Sequence, residues 1–144
     1  MHAFVVDAEV ALLRDDGRYL MTVRGEGESH AAGTLAFPGG AVEREERTDI
    51  LEETVRRELA EEAGLSVGTL AYVESHTFED DGDHCLVVVF IGRYAGGEPR
   101  ISDRSEIADL RWMSPDEIVN APITPPWIVE MIARVEERRR SLGW

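Results

Sequence analysis

The sequence predicts an α/β fold in which a mixed sheet lies between helices. Three observations predict it. Segments rich in β-branched and aromatic residues are separated by turn signals, two segments repeat apolar residues at helical spacing, and strand-like segments both precede and follow the first helix. The chain of 144 residues contains no internal repeat, low-complexity segment or linker. We therefore expect a single domain over residues 1–144.

The N-terminal residues favour a β-hairpin. Residues 4–13 are apolar and β-rich, residues 15–17 (Asp-Asp-Gly) are a turn signal, and residues 19–23 favour extended structure. Residues 24–33 are polar and contain glycine, which indicates a loop. A short apolar segment, residues 35–37, then leads into a Pro-Gly-Gly sequence.

The next segment predicts a helix between Asp49 and Gly64. Asp49 is expected to be the N-cap with Glu52 as its capping-box partner, and Gly64 is expected to end the helix. Apolar residues at four-residue spacing mark the buried face of this helix: Leu51, Val55 and Leu59.

Further strands are predicted at residues 70–78, 85–94 and 108–113. The acidic segment between the first two is expected to be a solvated hairpin turn rather than a metal site: Asp80, Asp81, Gly82 and Asp83.

Two helices are expected near the C-terminus. Ser114 and Pro115 begin a brief helix, because proline is tolerated at the first helical position. Residues 124–126 open the last helix, whose buried stripe follows the i, i+3, i+4, i+7 pattern: Ile128, Met131, Ile132 and Val135.

The charge of the chain disfavours several classes of partner. The formal net charge is −14, and all 15 basic residues are arginine. Such a chain should repel nucleic acid, anionic membranes and free phosphates, so we expect no nucleic-acid partner and no membrane partner. If the protein handles phosphates, cations must reverse the sign of the local potential.

Other features of the composition favour a cytoplasmic protein. No apolar run approaches the roughly 18 residues that a membrane span needs, and the N-terminus lacks a secretory pattern. The single cysteine, Cys85, excludes an intramolecular disulfide framework and a multi-cysteine zinc site. Cys85 lies in an apolar run and is expected to be buried.

Three carboxylates on the first helix suggest a cation site. Glu58, Glu61 and Glu62 stand at i, i+3 and i+4, so they share one face, and Arg57 can pair with Glu61. Mg²⁺ or Mn²⁺ would remove the repulsion between them. A solvated Glu/Arg face is the alternative. The upstream pair Gly39-Gly40 favours the cation site, because a glycine turn lets backbone approach a ligand.

Residues 37–65 resemble the Nudix box. Its pattern is Gly, five residues, Glu, seven residues, then Arg-Glu-apolar-any-Glu-Glu-any-Gly-apolar. The matching positions are Gly40, Glu46, Arg57, Glu58, Leu59, Glu61, Glu62, Gly64 and Leu65. Ten residues rather than seven separate Glu46 from Arg57. We place the extra residues around 47–50, in the loop before the helix, where an insertion costs little stability. The insertion leaves the role of Glu46 open.

The resemblance implies an α/β/α sandwich that hydrolyses a nucleoside diphosphate linked to another group. It implies that Mg²⁺ or Mn²⁺ is bound by the carbonyl of Gly40 and by the carboxylates of Glu58, Glu61 and Glu62.

It also implies catalytic roles for residues in and beyond the box. Arg57 would orient a glutamate by salt bridge. The general base is either Glu58 or Glu106, and an exposed loop carboxylate is the alternative for Glu106. Arg24 could contact a substrate phosphate, with a plain surface arginine as the alternative.

Histidines and tryptophans give weaker signals. The histidines show no metal-ligand spacing and are expected at ordinary polar positions: His30, His76 and His84. Trp112 and Trp127 are expected to be core or interface aromatics rather than stacking platforms.

Three hypotheses about function follow. The first is a MutT-like pyrophosphohydrolase that acts on nucleoside triphosphates, motivated by the compact chain. The second is a pyrophosphatase acting on ADP-ribose or dinucleotides, which the lack of proline and tyrosine in residues 79–83 disfavours. The third is a non-catalytic nucleotide-binding module, motivated by the insertion. Enzymes that resemble this chain are often dimers, so a homodimer is one expected partner.

Overall fold

A seven-stranded sheet with helices on both faces organises the chain. The computed structural model describes residues 3–28 and 30–144. The elements are β1 (Val5–Leu13), β2 (Tyr19–Arg24), β3 (Leu35–Ala36), β4 (Gly39–Ala41), α1 (Ile50–Glu58), β5 (Ser66–Asp80), β6 (Asp83–Gly96), β7 (Ile107–Met113), α2 (Pro115–Asn120) and α3 (Pro126–Leu142). A π-helical turn, Leu59–Ala63, extends α1.

The sheet is mixed, as the sequence predicts. Its main path runs β3-β2-β1-β6-β5, with β4 paired to β1 and β7 paired to β2. The β1–β6 pairing is parallel, and the other strand pairings are antiparallel. The prediction of an α/β fold with a mixed sheet is confirmed.

Side chains that alternate along β1 divide the core into two layers. Ala11 and Leu13 pack on one face with α2 and α3, while Val10 and Leu12 pack on the other face with α1. The predicted stripe of α3 is buried in the first layer: Ile128, Met131, Ile132 and Val135. Cys85 is also buried, as expected.

The predicted hairpin between β1 and β2 is present but brief. Only Leu13 and Tyr19 pair directly. Farther along, β4 pairs with β1 over Asp7–Glu9, and β2 pairs with β7 instead. The two strands therefore separate, and β4 is brought against the middle of the sheet.

The turn between β5 and β6 matches its prediction. Asp81 and Gly82 both have positive φ, 48° and 86°, as a two-residue hairpin turn of type I′ requires. The helix start at Ser114 is also confirmed, because its hydroxyl accepts the Glu117 backbone N–H in a complete capping box.

The predicted capping box at Asp49 is wrong. Asp49 directly precedes α1, but its φ of 57° lies in the left-handed region and its side chain makes no capping hydrogen bond. An N-cap normally has extended backbone, from which the side chain can reach the first free N–H groups. The predicted stop at Gly64 is confirmed, since Gly64 has a φ of 70° and ends the π-helical turn.

Among the described residues, no helix is long and apolar enough to cross a membrane.

Candidate active site

The π-helical turn after α1 separates the three glutamates of the predicted cation site. A π-helical turn contains more residues than an α-helical turn. Viewed down the helix axis, residue i+4 therefore lies closer to the direction of residue i, and residue i+3 lies farther from it. Glu62 consequently meets Glu58, and their carboxyl groups share a hydrogen bond. Glu61 points outward: its side chain is 63% exposed, against 12% for Glu58.

The backbone of β4 lies directly against Glu58. A Cβ atom built on Gly40 would come within 2.5 Å of the Glu58 carboxyl carbon, and a Cβ on Gly39 would clash with the carbonyl oxygen of Ala8. Glycine is therefore required at position 39, whereas a side chain at position 40 would displace the carboxyl group of Glu58. The segment brings peptide groups next to a carboxylate that is largely shielded from water.

Arg57 connects the glutamates of the helix to the backbone of β4. Its Nη1 lies 2.9 Å from Glu58 Oε1, 3.3 Å from Glu43 Oε1 and 3.4 Å from Glu61 Oε2. Its Nη2 donates a hydrogen bond to the carbonyl of Ala41, 3.2 Å away. The predicted pairing of Arg57 with Glu61 is present, and the guanidinium also fixes the position of Glu58.

Arg57 neutralises Glu58 in this pair of glutamates, whereas the charged groups that act on Glu62 are acidic. Burial raises the pKa of Glu62 to about 9, and the hydrogen bond that its protonated carboxyl donates to Glu58 and the charges of Glu58, Glu106 and Glu28 add to this effect. At neutral pH the carboxyl group of Glu62 therefore keeps its proton. A divalent cation could take the place of that proton.

Two loops bring further carboxylates to the same place. The backbone N–H of Gly25 donates to the carbonyl of Glu106 at 2.8 Å, and a Cβ on Gly25 would clash with Ser105. Glu106 is exposed. Its pKa is raised by partial burial and by the charges of Asp103, Glu28 and Glu58.

Arg24 and Glu28 belong to the first of these loops. Arg24 Nη2 lies 3.0 Å from Glu28 Oε2, and Arg24 Nε donates to the carbonyl of His30 at 2.7 Å. No motif or spacing in the sequence singles out Glu28. It reaches the site because glycines at positions 25 and 27 allow its loop to pack against Ser105.

A cavity of about 540 Å³ lies on the α3 side of the sheet and extends to Arg24. This volume is typical of small-molecule sites. The floor comes from β1 and β6, and the walls come from β3, β5, α3 and the loop after β2. Its lining includes Asp7, Glu9, Arg24, His30, Ala31, Thr34, Leu35, Ala36, His76, Phe78, Cys85, Val87, Trp127, Ile128 and Met131.

Aromatic residues form one wall of this cavity. The ring of His30 stacks on Phe78 and on Trp127, with centroid distances of 5.9 and 6.0 Å. Phe78 and Trp127 remain 37% and 46% exposed. Trp127 is therefore not a core aromatic, which leaves the interface alternative of its sequence-based prediction untested. Its place is at the start of α3, before the buried stripe begins.

Comparison with known proteins agrees with this geometry. A family model described as a NUDIX domain matches residues 3–135. The chain belongs to the Nudix family.

Two curated relatives and one solved structure illustrate the similarity. The putative 8-oxo-dGTP diphosphatase 3 of Mycobacterium tuberculosis is 30% identical over 129 residues, covering 79% of this chain and 58% of that protein. The NAD-capped RNA hydrolase NudC of Pectobacterium carotovorum is 36% identical over 81 residues, covering 56% of this chain and 29% of that protein. The MutT protein of Methanosarcina mazei superposes with a TM-score of 0.79 at 24% identity, covering 96% of both chains.

The chain thus spans less than two thirds of the length of these two curated relatives. The Methanosarcina structure bears on the fold alone, and it agrees with the predicted Nudix-type α/β/α sandwich.

The Nudix box departs from an ideal arrangement before the helix. Glu46 and residues 47–49 lie in an exposed loop, and α1 begins at Ile50. The loop is therefore where extra residues would be tolerated. Glu46 is exposed, like its neighbours, and it remains without an assigned role.

The residues present fit a divalent cation in part. Glu58 lies against the backbone of β4 and beside Glu62, and carboxylate and carbonyl oxygen atoms are the donors that Mg²⁺ and Mn²⁺ prefer. Within residues 3–28 and 30–144, however, no group of three or more His, Cys, Asp or Glu side chains is close enough to enclose a metal ion. Participation of Glu61 therefore stays a prediction.

Proposed function

We propose that this protein hydrolyses the diphosphate linkage of a nucleoside triphosphate with the help of Mg²⁺ or Mn²⁺. The observation that carries the proposal is that the carboxylates of the Nudix helix and the cavity lie close to each other. Glu58 on the Nudix helix lies within electrostatic reach of Asp7, which lines a ligand-sized cavity together with Arg24. Glu62 lies within reach of Glu28, on the loop that follows Arg24. The phosphates would lie at the carboxylates and the nucleoside in the cavity.

Glu58, Glu62 and the carbonyl of Gly40 would hold the cation, with Glu61 as a further ligand once its exposed side chain turns inward. When bound, such a cation neutralises phosphate oxygens and lowers the pKa of water. The chain needs that contribution, because a net charge of −14 opposes the approach of a polyphosphate. Arg57 holds Glu58 in place through the 2.9 Å contact.

Glu106 is the general base in this proposal. It is exposed, whereas Glu58 is already engaged by Arg57 and Glu62. Its raised pKa also makes it a stronger proton acceptor than an ordinary carboxylate. The water oxygen forms a bond to phosphorus, the phosphorus–oxygen bond to the leaving pyrophosphate breaks, and Glu106 takes the proton from water. Arg24 would contact a phosphate oxygen from the opposite side.

A triphosphate is preferred over other substrates because of the similarity to a putative 8-oxo-dGTP diphosphatase. The similarity to NAD-capped RNA hydrolases is equally extensive, but the net charge of −14 disfavours RNA as a substrate.

The test is turnover of a substrate panel with Mg²⁺, with Mn²⁺ and with a chelator. The panel contains nucleoside triphosphates, ADP-ribose, NADH and diadenosine polyphosphates. We expect pyrophosphate and a nucleoside monophosphate from a triphosphate, and no product with the chelator. Turnover of ADP-ribose or NADH alone would replace the substrate assignment, and a folded protein that is silent on the whole panel would contradict the proposal.

A further inference from the structure

One carboxyl group in the cavity is not explained by the hydrolysis of a diphosphate. Glu9 lies on β1, in a strand whose next four residues, Val10 to Leu13, are buried and apolar. Strand alternation places it on the same face as Asp7 and Ala11, toward α3. Glu9 lines the cavity together with Val87, Leu35 and Met131.

Glu9 makes no side-chain hydrogen bond or salt bridge with any other described residue, although both of its carboxyl oxygens can accept hydrogen bonds. The side chain is half-buried, so a ligand that fills the cavity and excludes water must itself satisfy the carboxyl oxygens. Burial and the charge of Asp7 raise the pKa of Glu9 to about 8, with Glu74 adding to the shift and Arg24 opposing it. The carboxyl group is therefore mostly protonated near neutral pH.

The other ionisable groups of the cavity are mainly carboxyl groups, whose oxygen atoms accept hydrogen bonds. Acidic side chains predominate along the lining and its rim: Asp7, Glu79, Asp80 and Asp83. The basic or partly basic groups are Arg24, His30 and His76. Arg24 is engaged by Glu28 and by the carbonyl of His30. A ligand that offers hydrogen-bond donors therefore complements this cavity better than one that offers acceptors.

We propose that Glu9 determines base specificity, and that its carboxylate binds the edge of guanine through two parallel hydrogen bonds. The inference rests on the proposed function, since it takes the ligand of the cavity to be a nucleotide. A carboxylate has two acceptor oxygens side by side, and it binds a pair of parallel N–H donors in the way that it binds arginine. Guanine offers such a pair, N1–H and the 2-amino group.

The other common bases lack this pair. Adenine and cytosine present one amino donor beside a ring nitrogen that is an acceptor. Uracil and thymine present one N–H between two carbonyl oxygens. Each of them would leave one carboxylate oxygen of Glu9 facing an acceptor, which is unfavourable once the bound base excludes water from that oxygen.

Proton release distinguishes guanine binding by ionised Glu9 from binding of a base through apolar contacts alone. Two donors favour the ionised form of Glu9, so guanine binding must expel the proton that the empty cavity holds. Below a pH of about 8 the affinity for a guanine nucleotide should rise with pH, because less work is then needed to remove that proton. The groups that face Glu9 and set this balance are Asp7 on β1, Arg24 on β2 and Glu74 on β5.

The experiment is calorimetric binding of GMP and IMP, in the presence of Mg²⁺, to the wild-type protein and to Glu9→Gln. IMP differs from GMP only in lacking the 2-amino group. We expect GMP to bind about tenfold tighter than IMP in the wild type, as for one hydrogen bond to a charged group. We also expect about one proton to be released at pH 7, measured in buffers of different ionisation enthalpy.

Glu9→Gln should abolish both the preference and the proton release, because an amide offers only one acceptor. The variant should fold, since glutamine has nearly the shape and charge of the protonated acid. Glu137→Gln, the same substitution at an exposed position on α3, is the matched control and should retain both properties. The assignment is overturned if GMP does not bind, if the wild type does not distinguish GMP from IMP, or if Glu9→Gln keeps the distinction.

Binding is measured without turnover, so this result is independent of the hydrolysis assay. Guanine preference without hydrolysis of any triphosphate would remove the proposed function and keep the role of Glu9. Hydrolysis of triphosphates without guanine preference would keep the proposed function and remove the role of Glu9.

Discussion

Two pairs of carboxyl groups, one on each face of the sheet, differ in what surrounds them. Glu58 and Glu62 face each other across a helix turn, with the backbone of β4 and further acidic loops nearby. Asp7 and Glu9 stand on β1 in the floor of a cavity with apolar and aromatic walls. In both pairs burial raises a pKa, to about 9 for Glu62 and about 8 for Glu9.

The comparison shows that the same residue type can serve two kinds of ligand. Around Glu62 the nearby groups are oxygen atoms, so the missing partner is a cation. Around Glu9 the charged neighbours Asp7, Arg24 and Glu74 stand beside apolar and aromatic walls, so the proposed partner is a flat molecule that carries donors. The Glu58–Glu62 pair should therefore respond to an added cation, and the Asp7–Glu9 pair should respond to an added nucleobase.

The largest effect is expected from Glu62→Gln. It removes the carboxylate nearest to Glu58, and we expect kcat to fall by about 10²- to 10³-fold, as when a group that stabilises transition-state charge is lost. Glu61→Gln should lower kcat less, because its side chain is 63% exposed. Steady-state kinetics on the best substrate measures both. Equal losses in the two variants would show that Glu61 turns inward as the Nudix box implies.

A smaller loss is expected from Gly40→Ala. The new Cβ would come within 2.5 Å of the Glu58 carboxyl carbon, so the side chain of Glu58 must move. We expect kcat to fall about 10- to 100-fold with a modest change in Tm, because a flexible side chain can move aside while the fold persists. Gly68→Ala is the control, since its Cβ would meet only ordinary contacts at 3.7 and 3.9 Å. Full activity in Gly40→Ala would contradict the close approach of β4 to Glu58.

The sequence predicts those parts of the fold that local patterns determine. The α3 stripe, the Asp81-Gly82 turn and the Ser114 cap each depend on residues close together in the chain, and each is present. The parting of β1 from β2 is different, because it depends on β4, which returns from a distant part of the sequence to pair with Asp7–Glu9.

The site was predictable to a smaller extent. The motif locates Glu58, Glu61 and Glu62, but a motif does not specify that residues 59–63 form a π-helical turn, which separates Glu61 from the other two. The cavity joins side chains from β1, β5, α3 and a loop, and no local pattern links them. One signal was available: two acids, Asp7 and Glu9, interrupt an apolar strand.

Mg²⁺ should distinguish the two carboxyl pairs through its effect on thermal stability at different pH values. Glu62 keeps its proton in the folded state up to a pH of about 9, whereas the same group ionises near 4.5 in the unfolded chain. Between these values the folded state binds more protons, so stability without metal falls as the pH rises. Mg²⁺ should offset this loss. We expect the rise in Tm on adding Mg²⁺ to be larger at pH 8.5 than at pH 6.5.

Glu62→Gln should remove most of that difference, because glutamine has no proton to exchange for the cation. Thermal unfolding with Mg²⁺ and with a chelator, at both pH values, measures it. A rise in Tm that is the same at both pH values would show that the cation binds elsewhere.

The smallest effect concerns Glu9, and it should be insensitive to Mg²⁺. Its pKa is about 8 in the folded protein and near 4.5 in the unfolded chain, so Glu9 also makes stability fall with rising pH between these values. In Glu9→Gln this contribution is absent. The free energy of unfolding of the variant relative to the wild type should therefore increase between pH 6 and pH 8, by on the order of 1 kcal/mol per pH unit at most.

Chemical denaturation at several pH values measures this difference, with Glu137→Gln as the control for loss of an exposed charge. Because Mg²⁺ would bind on the α1 side of the sheet, its presence should leave the difference in unfolding free energy unchanged. GMP should reduce this difference, because it stabilises the ionised form of Glu9 in the wild type. A pH-independent difference would show that water reaches Glu9 freely, and the cavity floor would then be too wet for a carboxylate to select a base there.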